Sequence, residues 1–193
     1  MRYLVTGNLK PSDLPRGCSI VAQGEAVALE EPWTFGPMLI ARVKEGYERS
    51  MFALREKPGV TAFTVTGLSE PNAGTAFAIG AHLMKDAEGM APYIAGVPPV
   101  IAKYNCNYLA RTGDVAHAGG EFKPDRVAIM QFPDAATMVD FYTCDGYAPL
   151  LPIRLKCTLP RMMLLMKEGA IPPSVRDTIT QRLPKAQGVP AAA

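Results

Sequence analysis

Residues 20–43 read IVAQGEAVALEEPWTFGPMLIARV, and residues 108–132 read YLARTGDVAHAGGEFKPDRVAIMQF. Set about 90 residues apart with one gap, the two stretches bring Gly24 onto Gly113, Trp33 onto Phe122 and Ile40 onto Ile129. Each has an alternating apolar run, a glycine-containing break, a lone large aromatic and a second apolar run. That pattern predicts a β-hairpin with a long irregular connection. A repeat of this length means a duplicated domain, since solenoid repeats are shorter.

The flanks complete each copy. After the first hairpin, Lys44 to Lys57 carries Tyr47, Met51 and Leu54 at helical spacing and stops at Pro58-Gly59. After the second, Asp134 can cap a helix bearing Ala135, Met138, Val139 and Tyr142. Each copy closes on a strand, over 60–68 and 159–167. The second copy also opens with a strand over 75–84 and a helical pattern over 86–104, where Pro98-Pro99 should kink or restart the helix. The result is β-α-β-β-α-β, the ferredoxin-like unit. In the first copy residues 2–9 supply the opening strand, but 10–17 (KPSDLPRG) are too few and too proline-rich for the helix. The fold class expected is α+β, with two tandem ferredoxin-like halves, the first lacking its first helix, forming a pseudo-dimeric α+β barrel. The divisions expected are 1–70, 71–168 and a Pro-rich tail over 169–193, lying outside both sheets and adding no core element.

The 193 residues are 48% hydrophobic and 20% charged with a formal net charge of +2, an ordinary globular balance. No basic stripe suggests nucleic acid. No apolar run reaches the roughly 20 residues of a membrane span. Residues 1–5 read as a strand without the apolar core of a secretion signal, so a cytoplasmic location is expected. Cys18, Cys106, Cys144 and Cys157 form no metal-finger or Cys-x-x-Cys spacing, and the two histidines cannot make a three-histidine site. No metal and no cofactor is expected. Phosphate loops, dinucleotide fingerprints and the Gly-x-Ser-x-Gly elbow are missing from the chain.

A set of ordered features lies in the second copy: Pro99 to Tyr104, Leu109-Ala110-Arg111-x-Gly113, Lys123-Pro124-Asp125-Arg126 before a strand, Phe132-Pro133, Phe141-Tyr142, Tyr147, and Leu150 to Arg154. Over about residues 75–168 these resemble the family known as domain of unknown function 1330, of the dimeric α+β barrel superfamily. The first half resembles a divergent copy that retains Val27-x-Leu29-Glu30 and Trp33. In the second half the family's acidic positions fall on Ala116 and Gly119. The resemblance implies the barrel fold. The superfamily includes isomerases of the muconolactone type, polyketide cyclases, cofactor-independent monooxygenases and haem enzymes, so it implies no single reaction.

Alternation along 75–84 separates Phe77, Ile79, Ala81 and Leu83 from Ala76, Ala78, Gly80, His82 and Met84. If the bulky set faces the helices, His82 points into the barrel beside small residues, where a cavity should open. His82 is then the candidate general base. His117, before Ala118-Gly119-Gly120, is a second catalytic candidate, or an exposed loop residue. Tyr142 could donate a proton to an enolate-like oxygen, or pack at the helix end. Arg126, Arg154 and Tyr147 are substrate-binding candidates; each arginine could instead hold helix to sheet through an ion pair. Glu30, Asp140 and Asp145 are the nearest carboxylates. The function expected is a cofactor-independent isomerase, cyclase or lyase acting on a small cyclic or aromatic-type organic substrate. The alternative is a noncatalytic binding or structural barrel. A homodimer is the candidate assembly.

Overall fold

The computed structural model describes residues 1–182 apart from 31 and 160. The strands are β1 (Arg2–Gly7), β2 (Cys18–Gly24), β3 (Val27–Ala28), β4 (Met38–Val43), β5 (Thr61–Thr66), β6 (Ala76–Met84), β7 (Asn107–Thr112), β8 (Val115–Gly119), β9 (Arg126–Phe132), β10 (Thr158–Leu159) and β11 (Met162–Met166). The α-helices are α1 (Ala91–Ile101), α2 (Ala135–Thr143), α3 (Leu151–Cys157) and α4 (Pro173–Arg182).

The pairings make two antiparallel sheets, ordered β2-β4-β1-β5-β8 and β3-β11-β6-β9-β7. The home strands of each half follow the ferredoxin-like order. The two remaining strands are exchanged. β3, from the first half, pairs with β11 of the second sheet. β8, from the second half, pairs with β5 of the first. The aligned stretches are therefore long strands that bend near the matched glycines and cross to the opposite sheet, rather than hairpins with loose connections. At Gly24 the backbone has φ +146, which an L side chain rarely adopts. Phe122 lies with its ring 6.4 Å from that of its sequence counterpart Trp33. The molecule is thus two tandem ferredoxin-like halves closed into a pseudo-dimeric α+β barrel.

Three apolar layers hold it. Between the sheets, Tyr3, Val5, Ile40, Phe63, Phe77, Ile79, Ile129 and Leu165 form one buried cluster. Outside the second sheet, Ala76, Ala78, Met130, Phe141, Tyr147 and Leu164 pack under the helices. Outside the first, Leu4, Leu39, Met51 and Leu54 form the third.

Local chemistry explains where elements begin and end. Asp134 caps α2, its carboxylate accepting from Thr137 N–H at 2.8 Å. The helix expected from residue 86 begins at 91, because the Asp86 carboxylate accepts from Gly89 N–H at 2.8 Å and closes a turn first. Over 10–17 there is only a 3-10 turn, Pro11–Asp13. The α-helix expected over 44–57 is a 3-10 helix over Glu48–Glu56. At three residues per turn Met51 and Leu54 share its buried face, and Tyr47 lies outside it, exposed.

The tail expectation needs correcting. Ile171 and Ile179 are buried in the cluster beneath α2, so the start of that segment does add to the core. Arg182 also reaches Asp140 at 3.3 Å. The low-complexity stretch over 188–193 lies outside the described residues.

Candidate functional site

His82 is not in the barrel. On β6, Ala76, Ala78, Gly80 and His82 stand opposite Phe132, Met130, Ala128 and Arg126 of β9. The first two of these pairs lie in the helix-side layer, and Phe77, Ile79 and Ala81 fill the space between the sheets. The alternation was right and the assignment of faces reversed. Facing sheets lie ~10 Å apart and need bulky side chains between them; Phe77 and Ile79 supply these, which leaves the small residues of β6 to the helix side. The expected barrel cavity is accordingly a packed apolar interior.

A small cavity of about 40 Å³ does open beside His82, beneath α1. It is lined by His82, Tyr93, Arg111 and Arg126 among apolar side chains such as Met130 and Met162. Its size suits a carboxylate or carbonyl head group with a water or two. His82 Nδ1 accepts a hydrogen bond from the Arg161 backbone N–H at 3.2 Å, in the gap between β10 and β11. Burial, and then the charges of Arg154 and Arg126, hold its pKa well below the ordinary 6.5. A neutral imidazole whose Nδ1 accepts must carry its proton on Nε2. That Nε2–H has no hydrogen-bond partner among the described residues. His82 therefore offers a donor where a base was expected. The Arg126 side chain likewise makes no hydrogen bond or ion pair among the described residues.

Arg111 enters the cavity because of the prolines in α1. Pro98 lacks the N–H that would bond the carbonyl of Ile94. Arg111 donates to that carbonyl instead, at 2.7 Å. The helix thereby continues through Pro98-Pro99 without restarting.

Behind the cavity lies a buried polar cluster. Arg154, on α3, is fully buried. Its Nη1 donates to Glu30 Oε2 at 2.8 Å, and Nη2 donates to Glu30 Oε1 and to the hydroxyl oxygens of Tyr142 at 3.0 Å and Tyr147 at 3.3 Å. The Tyr142 hydroxyl donates to Glu30 Oε1. Burial raises the phenols of Tyr142 and Tyr147 well above the ordinary 10, with Arg154 opposing. Burial also opposes the Arg154 charge, but Tyr147, Tyr142 and Glu30 outweigh it and the guanidinium is held. Arg154 is thus an ion pair that ties a helix of the second half to the first half's Glu30. Tyr93 joins this cluster to the cavity: its hydroxyl is 3.1 Å from that of Tyr147.

Of the six nominated residues, Tyr142, Tyr147 and Arg154 share the buried cluster, and His82 and Arg126 share the cavity. His117 joins neither. It lies on β8 opposite Phe63 of the first sheet, and its Nε2 is 2.6 Å from the Gly120 carbonyl. Glu30, Tyr93 and Arg111 were not nominated. Glu30 had a signal, the Val27-x-Leu29-Glu30 match. Its counterpart in the repeat is Gly119, where an added Cβ would lie 2.6 Å from the Leu54 carbonyl oxygen. The acid exists on one side only, and the first sheet's outer face has no room for it.

A larger cleft of about 320 Å³ opens at the barrel edge near the join between the halves. Its polar groups are largely spent on each other. Arg42 pairs with Glu70 at 2.7 Å, and the Gln131 amide is bonded to Asn72 and Gly74. The smaller cavity, with an unpaired donor and an unpaired cation, is the better candidate. Among the described residues no group of three or more His, Cys, Asp or Glu could hold a metal ion, and no helix is long and apolar enough to cross a membrane.

Residues 75–168 match the family described as domain of unknown function (DUF1330). No curated protein matches the chain in sequence. Among solved structures, a protein of unknown function from Rhodopseudomonas palustris is similar at 17% identity and a TM-score of 0.44, over 55% of this chain and 100% of that one. A proposed monooxygenase from Lactobacillus acidophilus NCFM is similar at 7% identity and a TM-score of 0.43, over 88% of this chain and 97% of that one.

Proposed function

With residues 75–168 forming a DUF1330 domain, we propose that the protein is a cofactor-independent enzyme, an isomerase, cyclase or lyase. Its substrate is a small cyclic or aromatic-type molecule whose oxygen-bearing end enters the cavity beneath α1. The carrying observation is the convergence of His82 and Arg126 on one cavity, the first as a neutral N–H donor and the second as an unpaired cation. Both would stabilise an oxygen that gains negative charge, as in an enolate, inside a desolvated site where such groups act strongly. A cytoplasmic location and a homodimer belong to the same proposal.

Thermal-shift screening with small phenols, lactones and keto acids tests it. Keto acids should raise the wild-type melting temperature and leave Arg126→Met unmoved. Turnover of a hit should fall about 100-fold or more in His82→Ala. His82→Gln, which keeps an N–H donor, should retain most of it. Equal loss in Ala and Gln would return His82 to the role of base. One observation favours a noncatalytic binding role: no carboxylate lines the cavity. Saturable binding of every hit without turnover of any would decide for that role.

A further inference from the structure

The cavity has one group that reaches both the ligand space and the buried charge behind it. Tyr93, in the first turn of α1, lines the cavity with His82 and Arg126. Its hydroxyl is 3.1 Å from that of Tyr147. Tyr147 is almost completely buried, and its oxygen already accepts from Arg154 Nη2 at 3.3 Å. The Tyr147 proton has no other acceptor among the described residues. A buried hydroxyl that fails to donate is costly, so Tyr147 gives its proton to the Tyr93 oxygen. The Tyr93 proton is then free to point elsewhere, and Tyr93 is one of the residues that line the cavity. Arg154 polarises this chain, its guanidinium carbon 5.6 Å from the centre of the Tyr93 ring.

Building on the reading of this cavity as a substrate pocket, we propose that Tyr93 contacts the substrate as a hydrogen-bond donor. It completes a three-sided cradle for a carbonyl or carboxylate oxygen with His82 and Arg126. Tyr147 and Arg154 are positioning residues: they fix the direction of the Tyr93 hydroxyl and raise its donor strength without touching the ligand. The substrate class that follows is a molecule with an enolisable carbonyl or a carboxylate.

The probe is trifluoroacetate, titrated by fluorine NMR against the full chain and its variants. Tyr93→Phe should weaken binding about tenfold or more, the effect of one hydrogen bond to a charged ligand. Tyr147→Phe, which leaves Tyr93 in place, should weaken it by a smaller factor. In the unaltered protein with carbon-13 at tyrosine Cζ, the Tyr93 signal should move on saturation, a readout that does not depend on any variant folding. Unchanged affinity in Tyr93→Phe, or a motionless Tyr93 signal, with binding still lost in Arg126→Met, would overturn the Tyr93 role and leave the pocket reading standing. Absence of binding to the wild-type chain would overturn both.

Discussion

At His82, pH reports on the fold. In the unfolded chain this imidazole takes a proton below about 6.5. In the folded chain burial, Arg154 and Arg126 delay that proton to lower pH. Below 6.5 the unfolded state therefore binds the extra proton and is favoured. The contribution of neutral His82 is fully present above that value and is lost as pH falls toward the depressed folded value. The slope for one proton is at most ~1.4 kcal/mol per pH unit. Urea midpoints measured between about pH 7.5 and about pH 5 should fall in the wild type and fall less in His82→Gln. Identical pH profiles for the two would mean that the fold does not lower the His82 pKa.

Among the elements, α1 shows how a sequence that should break a helix can be accommodated. Two adjacent prolines remove donors from the middle of an 11-residue helix. The repair comes from a neighbouring strand: Arg111 of β7 satisfies the Ile94 carbonyl. Arg111→Met should therefore cost about 1–3 kcal/mol in urea unfolding. In a Pro98→Ala background the backbone N–H returns, and the same Arg111→Met change should cost clearly less. Equal costs in both backgrounds would show that Arg111 acts elsewhere. The device has a functional side, since it brings the Arg111 side chain to the cavity wall and its charge over the ring of Tyr108.

Over the whole molecule, strand exchange makes each half incomplete alone. β3 leaves the first half to edge the second sheet, and two residues later Glu30 neutralises the second half's buried Arg154. Replacing one member of a buried pair leaves the other charged and unsolvated, which costs about 3–5 kcal/mol. Glu30→Gln should lose that much stability although it lies outside the DUF1330 segment. The single tryptophan, Trp33, packs against Phe122 of the other half. Its fluorescence and the far-ultraviolet circular dichroism should therefore lose structure in one coincident transition, in the wild type and in Glu30→Gln. The double variant Glu30→Met, Arg154→Met should recover much of the loss, since apolar replacements for a buried pair are often tolerated. Separate transitions for the two probes, or a wild-type midpoint in Glu30→Gln, would contradict this account.

What the sequence determined by itself was local or repeated: alternation, caps, the proline-rich gap over 10–17, and the duplication that matches Gly24 to Gly113 and Trp33 to Phe122. These depend on side-chain period and backbone preference, which the chain carries residue by residue. From them follow the α+β class, the two ferredoxin-like halves and the Asp134 cap. Alternation says that His82 and Gly80 share a face but not which face the helices cover, because strand period is symmetric between the two sides. Only packing broke that symmetry, filling the space between the sheets with Phe77 and Ile79 and leaving the small residues to the helices. Tertiary structure likewise brought Glu30 across from the first half to Arg154. It spent Arg154 on that pair, removed His117 to the other sheet, and joined Tyr93 to the cluster. Such meetings depend on how a strand leaves its own sheet, and no spacing along the chain encodes the distance between two side chains that only the closed barrel brings together.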